Sequence, residues 1–482
     1  MKNYLKQIML IISELSILSM LFFAFSFLLS CNNRNNKMEW LATTPDAVWQ
    51  TEDVRNIEFV NEKADVVIDI TNQLQTIDGF GACFNEMGWT SLSLLSDADR
   101  EKIFYELFEY GKGANFTVCR MPIGANDFSR DWYSYNETDG DFEMMDFSIA
   151  NDQETLIPFI KTARKYNSNI KIWASPWSPP SWMKYNHHYA CRPDPQVNDL
   201  EGNPRTDLEG TNMFIQEEKY LKSYSLYFGK FIDAYRQQGI DIFMVAPQNE
   251  FNSCQNFPSC TWTASGLARF MGYLGPEMKK RGVELMFGTM ERSNSALADT
   301  ILNNSEAGPY IKSAGFQWAG KGAIGDIHKR YPLLKIYQTE QECGNGRNDW
   351  RGFVYSWGLM LHYFNNGTNV YNYWNISLEE GGISRWGWRQ NSLITVNKND
   401  RTYQFTYEYY LMKHVSHFVL PGARLLPVSG EFTDLLAFQN ADGSYVLVIH
   451  NANKTEIKPV IRIGNRSMSF TIKPESINTI KL

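Results

Sequence analysis

The feature that most constrains the fold is a repeated alternation of short apolar segments with longer amphipathic ones. Eight such pairs follow one another between residues 76 and 418. Strands that alternate with helices form a parallel sheet, and eight units predict closure into a barrel. The fold class is therefore predicted as α/β, a (β/α)8 barrel. The predicted strands are Gln75–Phe84, Phe116–Ile123, Ile170–Ala174, Ile242–Pro247, Glu284–Met290, Ala314–Trp318, Lys335–Thr339 and Val370–Trp374.

A helix is predicted after each of these strands. The predicted helices are Asp97–Glu109, Asp152–Lys165, Phe214–Gln238, Ala264–Arg281, Ser295–Asn303, Ile324–Tyr331, Tyr355–Asn365 and Thr402–Val415. After about residue 419 the helical pattern stops, and short alternating segments are separated by Asn, Gly and Asp turns. This tail, residues 419–482, predicts a small antiparallel β-sandwich. Residues 51–75 alternate in the same way and are expected to join it.

The N-terminus has the pattern of an export signal. Lys2 and Lys6 precede an apolar run from Ile8 to Leu29, and a polar run follows Cys31. Cys31 stands directly after Leu-Leu-Ser and resembles the bacterial lipoprotein box, which predicts a lipidated Cys31 at the end of a signal peptide, residues 1–31. Residues 32–50 are then a polar tether. The alternative is a single transmembrane anchor, because the run is long enough to span a bilayer.

Both alternatives place the body of the protein outside the cytoplasm. The lipoprotein hypothesis predicts a location in the cell envelope, on the outer membrane or cell surface of a Gram-negative bacterium. Contact with the membrane would then be only through the lipid anchor. A net charge of −7 argues against nucleic acid as a partner, since phosphate binding requires a basic face. We expect a monomer.

Cysteine spacing bears on metal binding and on disulfides. The mature chain has no Cys-x-x-Cys pair, so a structural zinc is not expected. Cys254 and Cys260 flank a short loop, which predicts a disulfide between them in an exported protein. No metal and no organic cofactor is expected.

Two glutamates stand at predicted strand ends. The fourth strand leads into Asn249-Glu250, and the seventh leads into Thr339-Glu340. Catalytic residues of barrel enzymes lie at the C-terminal ends of strands, so these two carboxylates are expected to face each other across the barrel mouth. Glycoside hydrolysis requires such a pair, and a separation of about 5–5.5 Å leads to retention of configuration.

Several motifs make a family resemblance specific, from about residue 50 to the end. They are Asp78-Gly79-Phe80-Gly81-Ala82, Arg120-Met121-Pro122-Ile123-Gly124, Asp127-Phe128-Ser129, Ala174-Ser175-Pro176-Trp177-Ser178-Pro179-Pro180-Ser181-Trp182-Met183-Lys184, Asn249-Glu250, Tyr373-Trp374-Asn375 and Glu380-Gly381-Gly382. Together they resemble glycoside hydrolase family 30, the family of acid β-glucosidase. The resemblance implies a barrel with a side β-sandwich built from both termini, in agreement with the pattern of the chain.

The resemblance also implies roles for single residues. Glu340 corresponds to the nucleophile, Glu250 to the acid/base and Asn249 to the residue that binds the sugar 2-hydroxyl. Arg120 corresponds to a buried arginine that could hold the nucleophile ionised by lowering its pKa. The expected substrate-binding residues are Glu86, Arg120, Asp127, Trp177, Asn249, Gln317, Trp318 and Trp374. For the tryptophans the alternative is core packing.

Two alternatives concern the nucleophile and the substrate. Glu342 lies two residues past Glu340, on the same face of an extended strand, and is the competing nucleophile. The sixth strand ends in Phe316-Gln317-Trp318-Ala319-Gly320-Lys321, where glucosylceramidases carry His-Trp-Tyr, and this segment resembles subfamily 3, which includes endo-β-1,6-glucanases. Loop aromatics near Trp374, Trp386 and Trp388 would suit an extended glucan.

The expected activity is therefore a retaining endo-β-1,6-glucanase that acts on β-1,6-glucan. The alternatives are a glucosylceramidase or β-glucosidase, a xylanase or β-xylosidase, and an inactive glycan-binding lipoprotein. The last would keep the tryptophans but lose one carboxylate.

Overall fold

The computed structural model describes residues 38–203 and 207–482. The predicted signal peptide, the lipidation of Cys31 and the alternative membrane anchor fall in residues 1–37, outside the described residues. Within the described ranges, no helix combines the length and the apolar character needed to cross a bilayer.

The elements are numbered here in chain order. The strands are β1 Glu39–Thr43, β2 Gln50–Thr51, β3 Glu58–Val60, β4 Val66–Ile68, β5 Gly79–Cys83, β6 Val118–Pro122, β7 Lys171–Ser175, β8 Ile242–Val245, β9 Glu284–Met290, β10 Ile311–Gln317, β11 Lys335–Glu340, β12 Thr368–Asn375, β13 Ser377–Glu379, β14 Ile394–Asn397, β15 Thr402–Phe405, β16 Arg424–Leu426, β17 Val428–Gly430, β18 Leu435–Gln439, β19 Tyr445–Asn451, β20 Val460–Ile463, β21 Arg466–Ser469 and β22 Ser476–Lys481. The α-helices are α1 Glu86–Ser93, α2 Asp97–Phe108, α3 Leu156–Tyr166, α4 Glu218–Gln237, α5 Ala264–Arg281, α6 Ser295–Leu302, α7 Ile324–Arg330, α8 Trp350–Asn365 and α9 Tyr407–Ser416.

Strands β5 to β12 form a closed parallel barrel in which each strand pairs with the next and β12 returns to β5. The predicted (β/α)8 barrel is confirmed. Its interior is filled by side chains such as Trp173, Met244 and Val370. Because helices cover the outside, the strands are buried on both faces, which explains their short, continuous apolar segments.

The helices bury one face against this barrel. In α4 the buried residues Leu221, Tyr224, Phe228, Phe231 and Tyr235 recur at intervals of three and four, which places them on one helical face. Helix α5 begins where the Thr263 hydroxyl accepts the Gly266 N–H and ends at Gly282 with φ +70°. The spacing of apolar residues and the caps thus account for these elements locally.

The β-sandwich combines both ends of the described chain, as predicted. One sheet has the order β16-β18-β19-β22-β1-β2 and the other β17-β4-β20-β21-β3. The predicted tether is wrong in its second half, because β1 lies within residues 32–50. Strand β1 pairs antiparallel with β22, and its Trp40 is buried in the sandwich core.

Several predicted helices have different boundaries: the helix predicted over Asp152–Lys165 begins at Leu156, and the one predicted over Tyr355–Asn365 begins at Trp350. The helix predicted over Thr402–Val415 begins only at Tyr407, because Thr402–Phe405 is strand β15, which pairs antiparallel with β14. The helix predicted over Phe214–Gln238 begins at Glu218. The three-stranded sheet β13-β14-β15 was not predicted from the sequence, because its strands are only three or four residues long and carry little pattern of their own.

The predicted Cys254–Cys260 disulfide is wrong. Cys260 is a buried thiol that forms no disulfide, and Cys254 makes a side-chain hydrogen bond with Cys191 instead. The Gln255 carbonyl accepts the N–H groups of Cys191 and Arg192. The loop that holds Cys254 is therefore folded back onto residues 190–192, toward Cys191.

Candidate active site

One side-chain amide contacts both predicted catalytic glutamates. Glu340 is the last residue of β11, and Glu250 lies in the loop after β8. Gln317, the last residue of β10, donates from Nε2 to Oε1 of Glu250 at 3.0 Å and to Oε2 of Glu340 at 3.2 Å. One oxygen of each carboxyl group therefore lies within hydrogen-bonding distance of a single nitrogen atom.

Arg120 lies beneath Glu340 and is wholly buried. All five of its N–H groups donate hydrogen bonds. Nη1 donates to Glu340 Oε2 at 2.8 Å and to the Thr339 carbonyl at 3.3 Å. Nη2 donates to Asn249 Oδ1 at 2.7 Å and to Ser175 Oγ at 2.9 Å, and Nε donates to the same Ser175 Oγ at 3.2 Å. No donor of Arg120 remains for a ligand. Its placement is that of a positioning residue, which corrects its prediction as a substrate-binding residue.

The amide of Asn249 has a fixed orientation. Its Oδ1 accepts hydrogen bonds from Arg120, from Thr289 Oγ1 at 3.0 Å and from Gln317 Nε2 at 3.2 Å. The Thr289 hydroxyl also accepts the backbone N–H of Glu250 at 3.0 Å. With its oxygen held from three sides, Asn249 presents its Nδ2 to the cavity.

Two site residues have a left-handed backbone. Glu250 has φ +47° and Trp318 has φ +46°, a region that costs free energy for residues with a Cβ. Trp318 directly follows β10, Glu250 lies in the loop after β8, and both line the same cavity. Such strain persists only where the surrounding contacts hold it, as the Thr289 and Gln317 hydrogen bonds do for Glu250.

The two carboxyl groups have unequal electrostatic surroundings. Burial, together with the negative charge of Glu340, raises the pKa of Glu250 well above its ordinary 4.5. Burial also raises the pKa of Glu340, but the Arg120 guanidinium and the hydrogen bonds from Trp318 and Gln317 oppose that rise. The expectation that Arg120 lowers the nucleophile pKa is right for that one contribution, yet burial outweighs it. The Arg120 guanidinium and these hydrogen bonds thus favour ionisation of Glu340 over that of Glu250.

These groups open into a cavity of about 310 Å³ at the C-terminal ends of the strands. Of the predicted residues, six line it: Asp127, Trp177, Asn249, Glu250, Trp318 and Glu340. Asp127 is buried, its Oδ1 has no hydrogen-bond partner among the described residues, and burial and the Glu340 charge raise its pKa well above 3.8. The size is ordinary for a small-molecule site.

The tryptophans divide between the cavity wall and the packing behind it. Trp177 lines the cavity and stacks on Trp374, with ring centroids 5.2 Å apart. Trp374 is fully buried behind it, where it packs as a core residue. Trp318 lines the cavity and donates from Nε1 to Glu340 Oε1 at 3.3 Å, while Trp388 stands near it, 42% exposed.

Glu86 does not reach the cavity. Its carboxylate is buried and accepts hydrogen bonds from the Arg130 backbone and side chain, from Asn151 at 2.9 Å and from Thr155 at 3.1 Å. The sequence motif predicted a sugar contact, whereas the structure satisfies both oxygens of Glu86 within the protein. Its position is that of a structural carboxylate.

Glu342 has its own partners, away from the cavity. Its Oε1 pairs with Lys321 Nζ at 2.5 Å, and its Oε2 accepts from the Tyr355 hydroxyl. Glu340 lines the cavity, and Glu342 does not. The geometry thus favours Glu340 over its competitor.

Several residues of the site were not predicted from the sequence, among them Thr289, Glu291 and Gln390. Thr289 holds the Glu250 backbone, and Glu291 and Gln390 line the cavity. Glu291 directly follows β9, so the rule of reading strand ends for ionisable groups could have found it. In the part of the chain that the structure describes, no cluster of three or more His, Cys, Asp or Glu side chains could hold a metal ion.

Solved structures share this architecture. The endo-β1,6-glucanase BT3312 is 26% identical with a TM-score of 0.77, and the alignment covers 92% of this chain and 98% of that one. SrfJ from Salmonella typhimurium superposes with a TM-score of 0.80 at 22% identity, over 92% of this chain and 99% of its own.

Curated relatives fall into two activities. The Aspergillus fumigatus endo-1,6-beta-D-glucanase neg1 is 27% identical over 436 residues, 84% of each chain. The lysosomal acid glucosylceramidase of Mus musculus is 24% identical over 83% of this chain and 80% of its own, and a candidate glucosylceramidase of Caenorhabditis elegans is 28% identical over 86% and 82%.

Family domains cover nearly all of the described chain. Residues 77–419 match the glycosyl hydrolase family 30 TIM-barrel domain. Residues 429–480 match the glycosyl hydrolase family 30 beta sandwich domain. The chain therefore belongs to glycoside hydrolase family 30 and is a glycoside hydrolase.

Proposed function

We propose that the protein is a retaining endo-β-1,6-glucanase that hydrolyses β-1,6-glucan by double displacement. The observation that carries the mechanism is the Gln317 amide nitrogen shared by Glu250 and Glu340. The two carboxylate oxygens that this nitrogen contacts can be no farther apart than the sum of the two hydrogen-bond distances, 3.0 Å and 3.2 Å. That limit is below the roughly 6.5 Å at which inverting pairs begin, and so favours retention.

In the proposed cycle Glu340 attacks the anomeric carbon while Glu250 donates its proton to the leaving oxygen. Glu250 then accepts a proton from water, which attacks the same carbon, releases Glu340 and restores the starting state. The unequal pKa shifts support this division, because the raised pKa of Glu250 suits an acid and the Arg120 contact suits an ionised Glu340. In this proposal the Asn249 amide donates to the sugar 2-hydroxyl.

The choice of β-1,6-glucan rests on the sixth strand and on the relatives. In the segment that resembles subfamily 3, Gln317 at the end of β10 contacts both carboxylates, and Trp318 directly after it contacts Glu340. BT3312 and the Aspergillus enzyme, both named as endo-1,6-glucanases, resemble this chain along most of its length. The second candidate is a glucosylceramidase, favoured by the nematode and mouse relatives.

Substrate panels separate these candidates. The purified protein is incubated with β-1,6-glucan, β-1,3-glucan, xylan and glucosylceramide, and products are separated by chromatography. We expect β-1,6-linked oligosaccharides from the first substrate, with the β-anomer formed first by NMR, and no product with Glu340→Gln. Cleavage of the lipid alone would overturn the glucanase proposal in favour of the second candidate, and first release of the α-anomer would overturn the retaining mechanism.

We also propose that the enzyme is exported and lipid-anchored through Cys31 in the cell envelope. The support is the charged, apolar and Cys-terminated pattern of residues 1–31. Cells that make the wild type should hold the protein in the membrane fraction, and Cys31→Ala should release it from that fraction. Membrane retention of the variant would favour the transmembrane anchor.

A further inference from the structure

A fourth carboxyl group, besides those of Glu250, Glu340 and Asp127, lies in the cavity wall and has an unsatisfied oxygen. Glu291 directly follows β9, and its side chain is 1% exposed. Its Oε1 accepts the Asn252 N–H at 3.0 Å and the Ser253 hydroxyl at 3.2 Å. Its Oε2 has no hydrogen-bond partner among the described residues, although Glu291 lines the cavity. A buried polar atom without a partner in a ligand cavity points to a group that the ligand supplies.

Glu291 stands on the side of the cavity formed by the loops after β8 and β9. That wall comprises Ser253, Gln255 and Phe257 from the loop that carries Glu250, with Glu291 and Arg292. Asp127 and Trp177 line the cavity from the loops after β6 and β7. In double displacement the acid and the nucleophile flank the anomeric carbon, and the leaving group departs on the side of the acid. The Glu291 wall is therefore the leaving-group side if Glu250 is the acid.

The chemistry of this wall is polar with aromatic surfaces. The Arg292 guanidinium lies 3.6 Å from Glu291 Oε1 through Nη1 and pairs with Glu209 at 2.8 Å through Nη2. Phe257 in this wall and the exposed Trp388 elsewhere in the same cavity offer flat apolar faces. A carboxyl group beside aromatic rings suits a sugar ring, which has hydroxyls at its edge and an apolar face. An apolar leaving group would leave the Glu291 oxygen unpaired.

We infer that Glu291 is a specificity-determining residue whose Oε2 hydrogen-bonds a hydroxyl of the sugar ring that departs. This inference rests on the proposed function, because it takes Glu250 as the acid. Burial raises the pKa of Glu291 to about 7, so near neutral pH this carboxyl can either donate or accept a hydrogen bond to a hydroxyl. The charged groups that face it are Glu250 and Arg292.

Two substrates with one donor sugar test this inference. A β-1,6-linked glucose oligosaccharide has hydroxyls on its leaving group, whereas 4-nitrophenyl β-glucoside has none there. We expect Glu291→Ala to lower kcat/KM about 10- to 100-fold on the oligosaccharide and less than about threefold on the aryl glucoside. Glu291→Gln, which keeps a hydrogen-bonding group in place, should recover part of the loss. Glu209→Gln changes the other carboxylate on Arg292, outside the cavity, and should leave both rates unchanged.

Glycosyl transfer to an acceptor sugar gives a second measurement, which does not depend on acid catalysis of leaving-group departure. With the aryl glucoside as donor and the oligosaccharide as acceptor, Glu291→Ala should lose transfer product while 4-nitrophenol release stays near wild type. Equal losses on both substrates, or unchanged transfer, would overturn the inference. A wild type that cleaves the aryl glucoside but neither cleaves nor glycosylates the oligosaccharide would also overturn it and leave the glycosidase intact. Failure on every β-glucoside would instead overturn the proposed function.

Discussion

Arg120 Nη1 lies 2.8 Å from Glu340 Oε2, and both side chains are almost completely buried. The guanidinium is stacked among three tryptophans, with its central carbon 4.4 Å from the ring centroid of Trp177 and 4.8 Å from that of Trp173. These rings hold the guanidinium plane under the carboxylate. Its orientation does not depend on a bound substrate.

Loss of this ion pair is expected to shift the acid limb of the pH profile. Arg120 opposes the rise in the Glu340 pKa, so Arg120→Lys, which loses the fork of donors, should raise that pKa further. Glu340 then ionises only at higher pH, and the acid limb of kcat/KM moves upward. We expect a loss of about 10²-fold at neutral pH. An unmoved acid limb in a folded variant would argue against this role.

Glu340→Gln should lower kcat by at least about 10³-fold, since it removes the proposed nucleophile. The matched variant Glu342→Gln removes the same charge two residues away and should cost less than about tenfold, because Glu342 binds Lys321 and Tyr355. A 2-deoxy-2-fluoro glucoside should label the peptide at Glu340. Label on Glu342, or reversed losses in the two variants, would exchange their roles.

Glu250→Ala should depend strongly on the leaving group. The proposed acid contributes about 10²- to 10⁴-fold when the leaving group is a sugar and little when it is 4-nitrophenol. The basic limb of the pH profile should disappear, since it reports deprotonation of Glu250, whose pKa is raised. Added azide should restore turnover of the aryl glucoside and form β-glucosyl azide. An α-azide product would contradict retention.

His414 is expected to make the fold sensitive to acid. Its ring nitrogens lie 2.8 Å from the hydroxyls of Thr479 and Thr43, and burial lowers its pKa to about 3. Between pH 6.5 and about 3, this histidine is protonated in the unfolded chain, where its pKa is ordinary, but stays neutral in the folded chain. The free energy of unfolding should therefore fall as pH drops from 6.5 toward 3, by ~1.4 kcal/mol per pH unit from this group.

Urea unfolding at several pH values measures this dependence. His414→Gln should unfold with a shallower pH slope over this range, whereas His362→Gln, which changes an exposed histidine, should keep the wild-type slope. Parallel slopes for wild type and His414→Gln would show that His414 does not carry the effect.

Local patterns were enough to predict the barrel, because the spacing of apolar residues distinguishes each strand from each helix within a short segment. Glu250 and Glu340 could be predicted for the same reason, since the parallel topology brings all strand ends to one edge. Strand β1 could not be predicted, because its partner β22 lies more than four hundred residues away in the chain. Its five residues carry too little pattern of their own.

The sequence alone determined the fold class, the family and the two strand-end glutamates. Only the tertiary structure decided which side chains reach the cavity. In the folded protein Arg130, Asn151 and Thr155 donate hydrogen bonds to the Glu86 carboxylate, and every N–H donor of Arg120 has an acceptor. One oxygen of Glu291 has no hydrogen-bond partner among the described residues. The physical reason is that the residue type fixes which hydrogen bonds a side chain can make. The packing of distant segments then decides which of them form within the protein and which remain for a ligand.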